Sequence, residues 1–490
     1  MKKTTKILII SIAAVVVLVG IFLLVYFVVP SESDVEDTEY TEEYNLISHV
    51  PADISKIEVK NETGEYTLIS ETPTVESTAS DGTVSTLTEA TVYTLLGYEE
   101  MELLTGSPDT LANDAASLTS TKIVNDGSNK SDFGFDSPRA TVKVSFKSGE
   151  VRTIYLGNDA DGDVGAYVMV DGDPQIYLVQ SDAVDGYLSG AMDMLSTEIG
   201  FAAENDDNNV FTKMIFGGSH FGEDVVIENS DSTAYSESYV ITSPDKTIAN
   251  EETVSYMVNN VRNLTAEKVI AVNAADEKIK EYGLDNPYVT VEAEYPDISV
   301  SYKATEPDKD GKFYLLSNGI IYQMDSTTVP WINQTYDSMI PTSVMSPKLL
   351  SVEKVTVETT SDKYEFVLSR ETTSSYDTDS DTDIETTTTK VTCNGKEIGE
   401  DNFNIFYQNL TSAQRTDLIE VDTNAKVLLK VSYEFTDGTT GEAVYYEGEN
   451  RKCPVLVNGT LGTTAFESYV TTITSDVAKV AANETVKSVY

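Results

Sequence analysis

The sequence predicts an α+β fold, in which one N-terminal transmembrane helix precedes three repeated units, each a mainly antiparallel sheet with one amphipathic helix. Three observations predict it: a long apolar run near the start of the chain, stretches in which apolar and polar residues alternate, and a helix-like segment that recurs at a constant spacing. The chain of 490 residues is also long enough for three domains behind an anchor.

Residues 7–29 form the apolar run, and only Ser11 and Tyr26 interrupt it. A helix of this length crosses a hydrocarbon core of about 30 Å. A cleaved secretory signal is the alternative, but its apolar core normally has about 7–15 residues and ends at a small-residue cleavage site. Lysines precede the run and acidic residues follow it, so residues 1–6 are expected in the cytoplasm and the remainder outside. We therefore expect a single-pass, extracytoplasmic protein of the cell membrane.

The formal net charge is −48, with 81 acidic and 33 basic residues spread along the chain. Such a surface repels nucleic acid and anionic lipid, so the sequence excludes nucleic-acid binding. Solubility of an outward-facing surface explains this charge, and attraction of cations or of a basic protein partner is the alternative. The only two cysteines, Cys393 and Cys453, do not make a disulfide framework, although one bridge between them stays open.

A helix-like segment recurs three times. Val254, Met257 and Val258 have the spacing of one helix face, which continues to Leu264-Thr265, and acidic residues precede them. The same Leu-Thr pair recurs about 146 residues away on either side, at Leu118 and at Leu410, with matching upstream apolar positions. We expect three copies of one helix.

Alternating strand pairs precede each predicted helix, beginning near Ile54, Met214 and Val352, and further strands follow it. The resulting division is a cytoplasmic start (1–6), a transmembrane helix (7–29), an acidic tether (30–48), unit 1 (49–201), unit 2 (202–346), unit 3 (347–480) and a tail (481–490). Residues 372–389, rich in Ser, Thr and Asp, are expected to form an exposed loop in unit 3.

A turn motif occurs in the first two units, as Phe133-Gly134-Phe135-Asp136-Ser137-Pro138 and as Tyr282-Gly283-Leu284-Asp285-Asn286-Pro287. In the second copy the glycine suits a left-handed helix stop and the proline prevents continuation of the helix. This turn, with the Leu-Thr helix and the apolar run, resembles the bacterial family catalogued as domain of unknown function 4340. The resemblance implies a membrane-anchored envelope protein that accompanies ABC transporters of the gliding-motility type, without an established enzymatic activity.

Three acidic segments raise the question of calcium binding. Asp159-Ala160-Asp161-Gly162-Asp163 begins like an EF-hand, but Val164 and Val170 stand where that loop needs Gly and Glu. The segment Asp308-Lys309-Asp310-Gly311 occupies the matching place in unit 2, so a recurring turn is the better interpretation. The series Asp377, Asp379, Asp381 and Asp383 could hold calcium weakly, although a solvated acidic loop explains it more simply.

Gly217-Gly218-Ser219-His220-Phe221 lacks the second glycine that a nucleophile elbow needs, because Phe221 stands in its place. The 28 tyrosines could form a glycan-binding surface, but strand propensity explains them first. Trp331 is expected in the core. The sequence therefore predicts no catalytic residue, no cofactor ligand and no metal ligand.

We expect a non-catalytic, membrane-tethered extracytoplasmic protein, an accessory or interaction subunit of an envelope ABC-transporter-type assembly. Its partners are then the membrane, through one helix, and an envelope protein. The alternatives are a surface module that binds cell-wall glycan or calcium, and an extracytoplasmic hydrolase that uses a pair of carboxylates.

Overall fold

A computed structural model describes residues 43–78, 84–162, 164–200, 209–377 and 382–489. The predicted transmembrane helix, residues 7–29, lies outside this part of the chain, as does most of the acidic tether. Among the described residues no helix is both long and apolar enough to cross a membrane. The chain divides into two compact units, Met1–Ser196 and Thr197–Tyr490. The predicted units 2 (202–346) and 3 (347–480) both fall within the second.

The first compact unit contains an eight-stranded antiparallel sheet in the order β6-β3-β2-β9-β10-β11-β12-β8, and the pairs β1-β7 and β4-β5. Its elements are β1 (Tyr44–Ser48), β2 (Ile54–Asn61), β3 (Gly64–Glu71), β4 (Thr74–Thr78), β5 (Val84–Thr88), β6 (Val92–Leu95), α1 (Ser107–Ala116), β7 (Ser117–Ser120), β8 (Lys122–Asn125), β9 (Ala140–Phe146), β10 (Val151–Asp159), β11 (Ala166–Val170) and β12 (Ile176–Val179). Short 3-10 helices occupy Pro51–Asp53, Lys130–Phe133, Ser181–Ala183, Asp185–Leu188 and Ala191–Met194.

The period-two pattern of β2 and β3 places their apolar side chains on one face. Ile57 lies opposite Leu68 and Val59 opposite Tyr66, and all four are buried. Helix α1 packs on the centre of this face, against β2 and β9, and buries its apolar stripe. The core of the first unit therefore lies between the sheet and this helix.

The second compact unit contains two nine-stranded antiparallel sheets, in the orders β17-β16-β15-β14-β20-β21-β22-β23-β19 and β27-β26-β25-β24-β29-β30-β31-β32-β28, and the pair β13-β18. Its strands are β13 (Glu198–Gly200), β14 (Lys213–Gly217), β15 (Val225–Asn229), β16 (Tyr239–Ser243), β17 (Thr247–Ile248), β18 (Asn263–Thr265), β19 (Lys268–Ala271), β20 (Val289–Glu294), β21 (Ser299–Ala304), β22 (Lys312–Ser317), β23 (Ile320–Asp325), β24 (Val352–Thr359), β25 (Lys363–Asp377), β26 (Thr382–Cys393), β27 (Lys396–Ile398), β28 (Arg415–Leu418), β29 (Val427–Phe435), β30 (Thr440–Tyr446), β31 (Lys452–Val457) and β32 (Leu461–Phe466).

The helices of the second compact unit are α2 (Glu251–Val258), α3 (Asp276–Glu281), α4 (Tyr336–Met339), α5 (Glu400–Leu410) and α6 (Glu467–Ala481), and 3-10 helices occupy Pro330–Asn333 and Leu349–Ser351.

The three large sheets share one arrangement. In each, the strand before the recurring helix pairs with a strand after it, as in β2-β9, β14-β20 and β24-β29. A strand that lies in the chain between the helix and that later partner closes the far edge of each sheet, as β8, β19 and β28 do. These mainly antiparallel sheets with few helices confirm the predicted α+β class.

The end of the recurring helix differs from the prediction. Helix α2 ends at Val258, and Leu264 lies beyond it in β18, where it pairs with Ile199. After Val258 the backbone closes tighter i to i+3 bonds, from Asn260 N to Met257 O at 3.1 Å and from Val261 N to Val258 O at 3.4 Å. Leu264 is therefore buried by strand pairing and not by the helix face.

The segment 372–389 forms paired strands, so the prediction of a loop was wrong for its described part. Glu371 lies opposite Thr388 and Thr372 opposite Thr387, whose hydroxyl oxygens are 3.0 Å apart. Threonine favours extended backbone, and facing threonines stabilise a two-stranded ribbon without an apolar core. These four side chains are exposed, as the sequence predicted.

Candidate functional site

In the first acidic segment, for which a turn was predicted in preference to a calcium loop, Asp159 forms an ion pair. Asp159 ends β10, and its carboxylate binds both terminal nitrogens of Arg139, at 2.6 and 3.0 Å. Asp163 lies outside the described residues. Across the described ranges, no three or more His, Cys, Asp or Glu side chains are grouped so that they could hold a metal ion.

The second predicted segment forms a turn. Asp308 Oδ1 accepts hydrogen bonds from the backbone N–H groups of Lys312 and Asp310, both at 2.9 Å. These bonds lower the pKa of the Asp308 carboxyl. Asp377 ends β25, where it lies opposite Thr382, and Asp383 is the second residue of β26. Asp379 and Asp381 lie outside the described residues.

Ser219 and His220 bond separately to backbone carbonyl groups. Ser219 Oγ donates to Pro287 O at 3.4 Å, and His220 Nε2 donates to Gln334 O at 2.8 Å. Gly218 has a φ of +96°, and a Cβ at this position would lie 2.6 Å from the carbonyl oxygen of Tyr288. The glycines of this segment thus allow the backbone to pass close to Tyr288, and they do not form a nucleophile elbow.

Trp331 lies in the core, as predicted. It is 0% exposed, and its indole Nε1 donates to Asn260 O at 3.1 Å.

Both cysteines are buried free thiols. Cys393 lies in β26 and Cys453 in β31, five strands away in the same sheet. At about 4.8 Å per strand this separation is about 24 Å, far beyond the reach of a disulfide. Burial raises the pKa of the Cys393 thiol to about 11.

A cleft separates the second and third sheets inside the second compact unit, and we call it the inter-sheet cleft. Its volume is about 240 Å³. It is lined by Asn229, Ser230, Asp231, Ser232, Tyr235, Val240, Thr242, Lys246, Thr247, Ile248, Phe435, Thr439, Thr440 and Asn458.

The floor of the cleft is apolar. Val240 and Ile248 are direct partners across β16 and β17, so their side chains share the face opposite to buried Ile241. Phe435 of β29 faces them from the third sheet, and Tyr235 contacts Phe435 edge to face at 5.8 Å. Burial raises the pKa of Tyr235, which keeps its phenol neutral.

One carboxylate fastens the two walls of the cleft together. Asp437, in the turn between β29 and β30, accepts hydrogen bonds from Ser232 Oγ at 2.7 Å and from Thr233 N at 3.1 Å. The side chain and backbone of Thr439 also donate to this carboxylate, and these two bonds, followed by those from Ser232 and Thr233, lower the pKa of Asp437 to about 2. Lys246 N also donates to Thr460 Oγ1 at 2.9 Å. The cleft is therefore formed before any ligand arrives.

Arg415 makes a second connection between the third sheet and the segment that follows the second sheet. The guanidinium of Arg415, in β28, is 6% exposed and pairs with Asp337 of α4 at 2.5 Å. It also donates to the backbone carbonyl oxygens of Pro341 and Ile340, at 2.5 and 3.1 Å. These bonds tie the third sheet to the segment that follows the second.

The charge of the cleft contrasts with that of the chain. Asp231 and Lys246 are the charged side chains in its lining, and Lys246 makes no ion pair with any described residue. The lining is thus formally neutral on a chain of net charge −48. The sequence does not indicate this site, because its two walls come from segments that are about 200 residues apart in the chain. Only the expectation of adjacent repeat units pointed toward it.

The fold and the cleft define a class of protein: antiparallel sheets of one strand order, packed with a few helices, with an apolar cleft between two of the sheets. A family model described as "Domain of unknown function (DUF4340)" matches residues 105–210 and 240–430, more than half of the chain. The chain belongs to this family. The comparisons with curated proteins and with solved structures gave no match.

Proposed function

We propose that this chain is a membrane-tethered, extracytoplasmic, non-catalytic protein that binds another envelope protein. In this proposal residues 7–29 are the anchor and residues 30–48 the tether. Units 49–201, 202–346 and 347–480 are three outward-facing repeats, a division that the shared strand order of the three large sheets supports.

The inter-sheet cleft carries the proposal. Protein interfaces centre on preformed apolar pockets with polar rims, into which one partner side chain inserts. The cleft has such a floor in Val240, Ile248 and Phe435, and exposed hydroxyls and amides such as Thr440 and Asn458 at its rim. Its volume of about 240 Å³ suits one large side chain.

The partner in this proposal is a subunit of an ABC-transporter-type assembly. The resemblance described above supports it, because members of this family accompany such transporters. The strongly acidic exterior would add long-range attraction for a basic partner surface.

Photocrosslinking in native membranes tests the proposal. A photoreactive amino acid replaces Thr440 at the cleft rim, and the matched control replaces Thr471, an exposed threonine of α6. We expect a transporter subunit to crosslink at position 440 and not at 471, and Val240→Asp to abolish the product. Recovery of no protein, or of the same proteins at both positions, would contradict the proposal.

A glycan-binding module is the second candidate. The rim amides of Asn229 and Asn458 and the hydroxyl of Tyr235 are groups that bind sugar hydroxyls. A pull-down with purified cell wall, with and without calcium, separates this function from the first. Retention on the wall that Val240→Asp removes would favour the glycan.

A further inference from the structure

Helix α5 holds a separate segment of the chain, Asn483–Val489, which we call the docked segment. Asn402 and Asn409 lie seven residues apart on this helix, so their side chains share one face. Both amides bond to the backbone of the docked segment and not to its side chains.

Asn402 uses both ends of its amide. Its Oδ1 accepts from Val486 N at 3.0 Å, and its Nδ2 donates to Glu484 O at 2.8 Å. The two backbone groups are two residues apart, as in the contact that a neighbouring strand makes.

Asn409 repeats this contact farther along the segment. Its Oδ1 accepts from Val489 N at 3.0 Å, and its Nδ2 donates to Lys487 O at 2.8 Å. The Asn409 side chain is 0% exposed, and a weaker bond to Asp476 at 3.3 Å fixes its orientation. Two amides at helical spacing therefore bind an extended backbone at two successive places.

The docked segment contributes one apolar side chain. Val486 is 2% exposed, whereas every other residue from Asn483 to Val489 is exposed. Recognition thus depends on extended backbone, on one small aliphatic side chain, and on Asn483 at the start of the segment, whose Oδ1 accepts a hydrogen bond from Gly399 N at 3.0 Å. A segment with so little buried surface opens locally, without unfolding of the sheet beneath it.

We infer that this face of α5 is a groove for an extended peptide, and that the docked segment is its resident occupant. The incoming ligand is an extended segment of a partner protein with a small aliphatic residue at the place of Val486 and no proline where the two N–H groups are needed. This inference rests on the proposed function, because the inference specifies which kind of segment the proposed envelope partner would present. The backbone contacts make the groove tolerant of the other side chains.

Peptide exchange tests the inference in the full-length chain. Val486→Asp in the chain releases the resident segment, and a fluorescent peptide with the sequence of residues 482–490 is then titrated. We expect saturable binding by fluorescence anisotropy, at least tenfold weaker for a peptide with Val486→Asp. Adding Asn402→Ala to the chain should weaken binding tenfold or more. Equal binding of both peptides, or no binding to the folded Val486→Asp chain, would overturn the inference.

Hydrogen exchange of the wild-type chain gives an independent measurement that needs no variant. The amides of Val486 and Val489 should exchange at least a hundredfold faster than those of β29, because the docked segment opens on its own. Exchange of both sets at one rate would overturn the inference. Either outcome leaves the crosslinking experiment at the cleft unaffected, so the two ideas fail separately.

Discussion

Asp437 is a carboxylate whose stabilising effect depends on its ionised form. Hydrogen bonds from the side chain and backbone of Thr439, and then from Ser232 and Thr233, lower its pKa from 3.8 to about 2. As the pH falls, the unfolded state therefore takes up a proton before the folded state does. The stabilisation is then present above about pH 4 and is lost as the pH falls toward 2. We expect Asp437→Asn to lower the free energy of unfolding by about 1 kcal/mol at pH 7, and by less at pH 2.5.

Thermal unfolding at both pH values measures this difference, and Asp231→Asn is the matched control. Asp231 is an exposed residue of the same cleft, and its side chain has no hydrogen bond or ion pair with any residue that the structure describes. An equal effect of Asp437→Asn at pH 7 and at pH 2.5 would mean that the loop is not held by the ionised carboxylate.

Asp114 has the opposite electrostatic behaviour, in the first compact unit. Burial, and then the charges of Asp182 and Asp185, raise its pKa from 3.8 to about 6. The folded state therefore binds the proton more tightly, and stability falls as the pH rises from about 4 to 6. We expect Asp114→Asn to stabilise the unit at pH 7.5 by roughly 1 kcal/mol, since the half-exposed group is partly screened, and to have little effect at pH 4.

Melting temperatures of the wild type and of Asp114→Asn across this pH range test the expectation. Asp185→Asn, at an exposed position, is the control and should stabilise less. A lower melting temperature of Asp114→Asn at pH 7.5 would show that the carboxylate has a favourable partner.

Among the elements, the N-terminus of α2 is determined by the residues that lie next to it in the sequence. Asn250 caps it, because its Oδ1 accepts from Thr253 N at 3.1 Å, and Glu251 and Glu252 follow in the first turn. We expect Asn250→Ala to lower the free energy of unfolding by about 1 kcal/mol in urea denaturation. Asn259→Ala, at the other end of the helix, is the control and should have a smaller effect.

Sequence patterns predicted those elements whose determinants are local. The alternation at Ile54 and Val352 marked strands, and those are the residues at which β2 and β24 begin. The end of α2 was missed, because Leu264 keeps the helical spacing although its burial comes from pairing with Ile199. The ribbon at Thr372 was missed because polar composition concealed the strand propensity of threonine.

The inter-sheet cleft and the groove of α5 could not be predicted from the sequence. Each joins segments that are distant in the chain, such as Ser232 with Asp437 and Asn402 with Val486. No periodicity or motif reports such a contact. The sequence therefore predicts the elements and the fold class, but it does not predict a site that depends on tertiary contacts.

On the scale of the whole molecule, Arg415 connects the two sheets of the second compact unit, and we expect it to make them unfold together. Its guanidinium bonds to Asp337 and to the carbonyl oxygens of Pro341 and Ile340. Arg415→Ala would leave these carbonyl groups without their donor, at a cost on the order of 3 kcal/mol. We expect the calorimetric transition of this unit to broaden or split into two, because each sheet keeps its own helix and core.

Two variants make this prediction specific. Arg415→Lys keeps the charge but cannot reproduce the forked donation, so it should recover only part of the cooperativity. Arg451→Ala, at an exposed arginine in the turn before β31 that has no ion pair among the described residues, should leave the transition unchanged. Limited proteolysis should then cut the Arg415→Ala chain between Ile340 and Lys348, where its anchoring bonds are lost. A single sharp transition at a lower temperature would instead mean that Asp437 and the cleft contacts suffice to couple the two sheets.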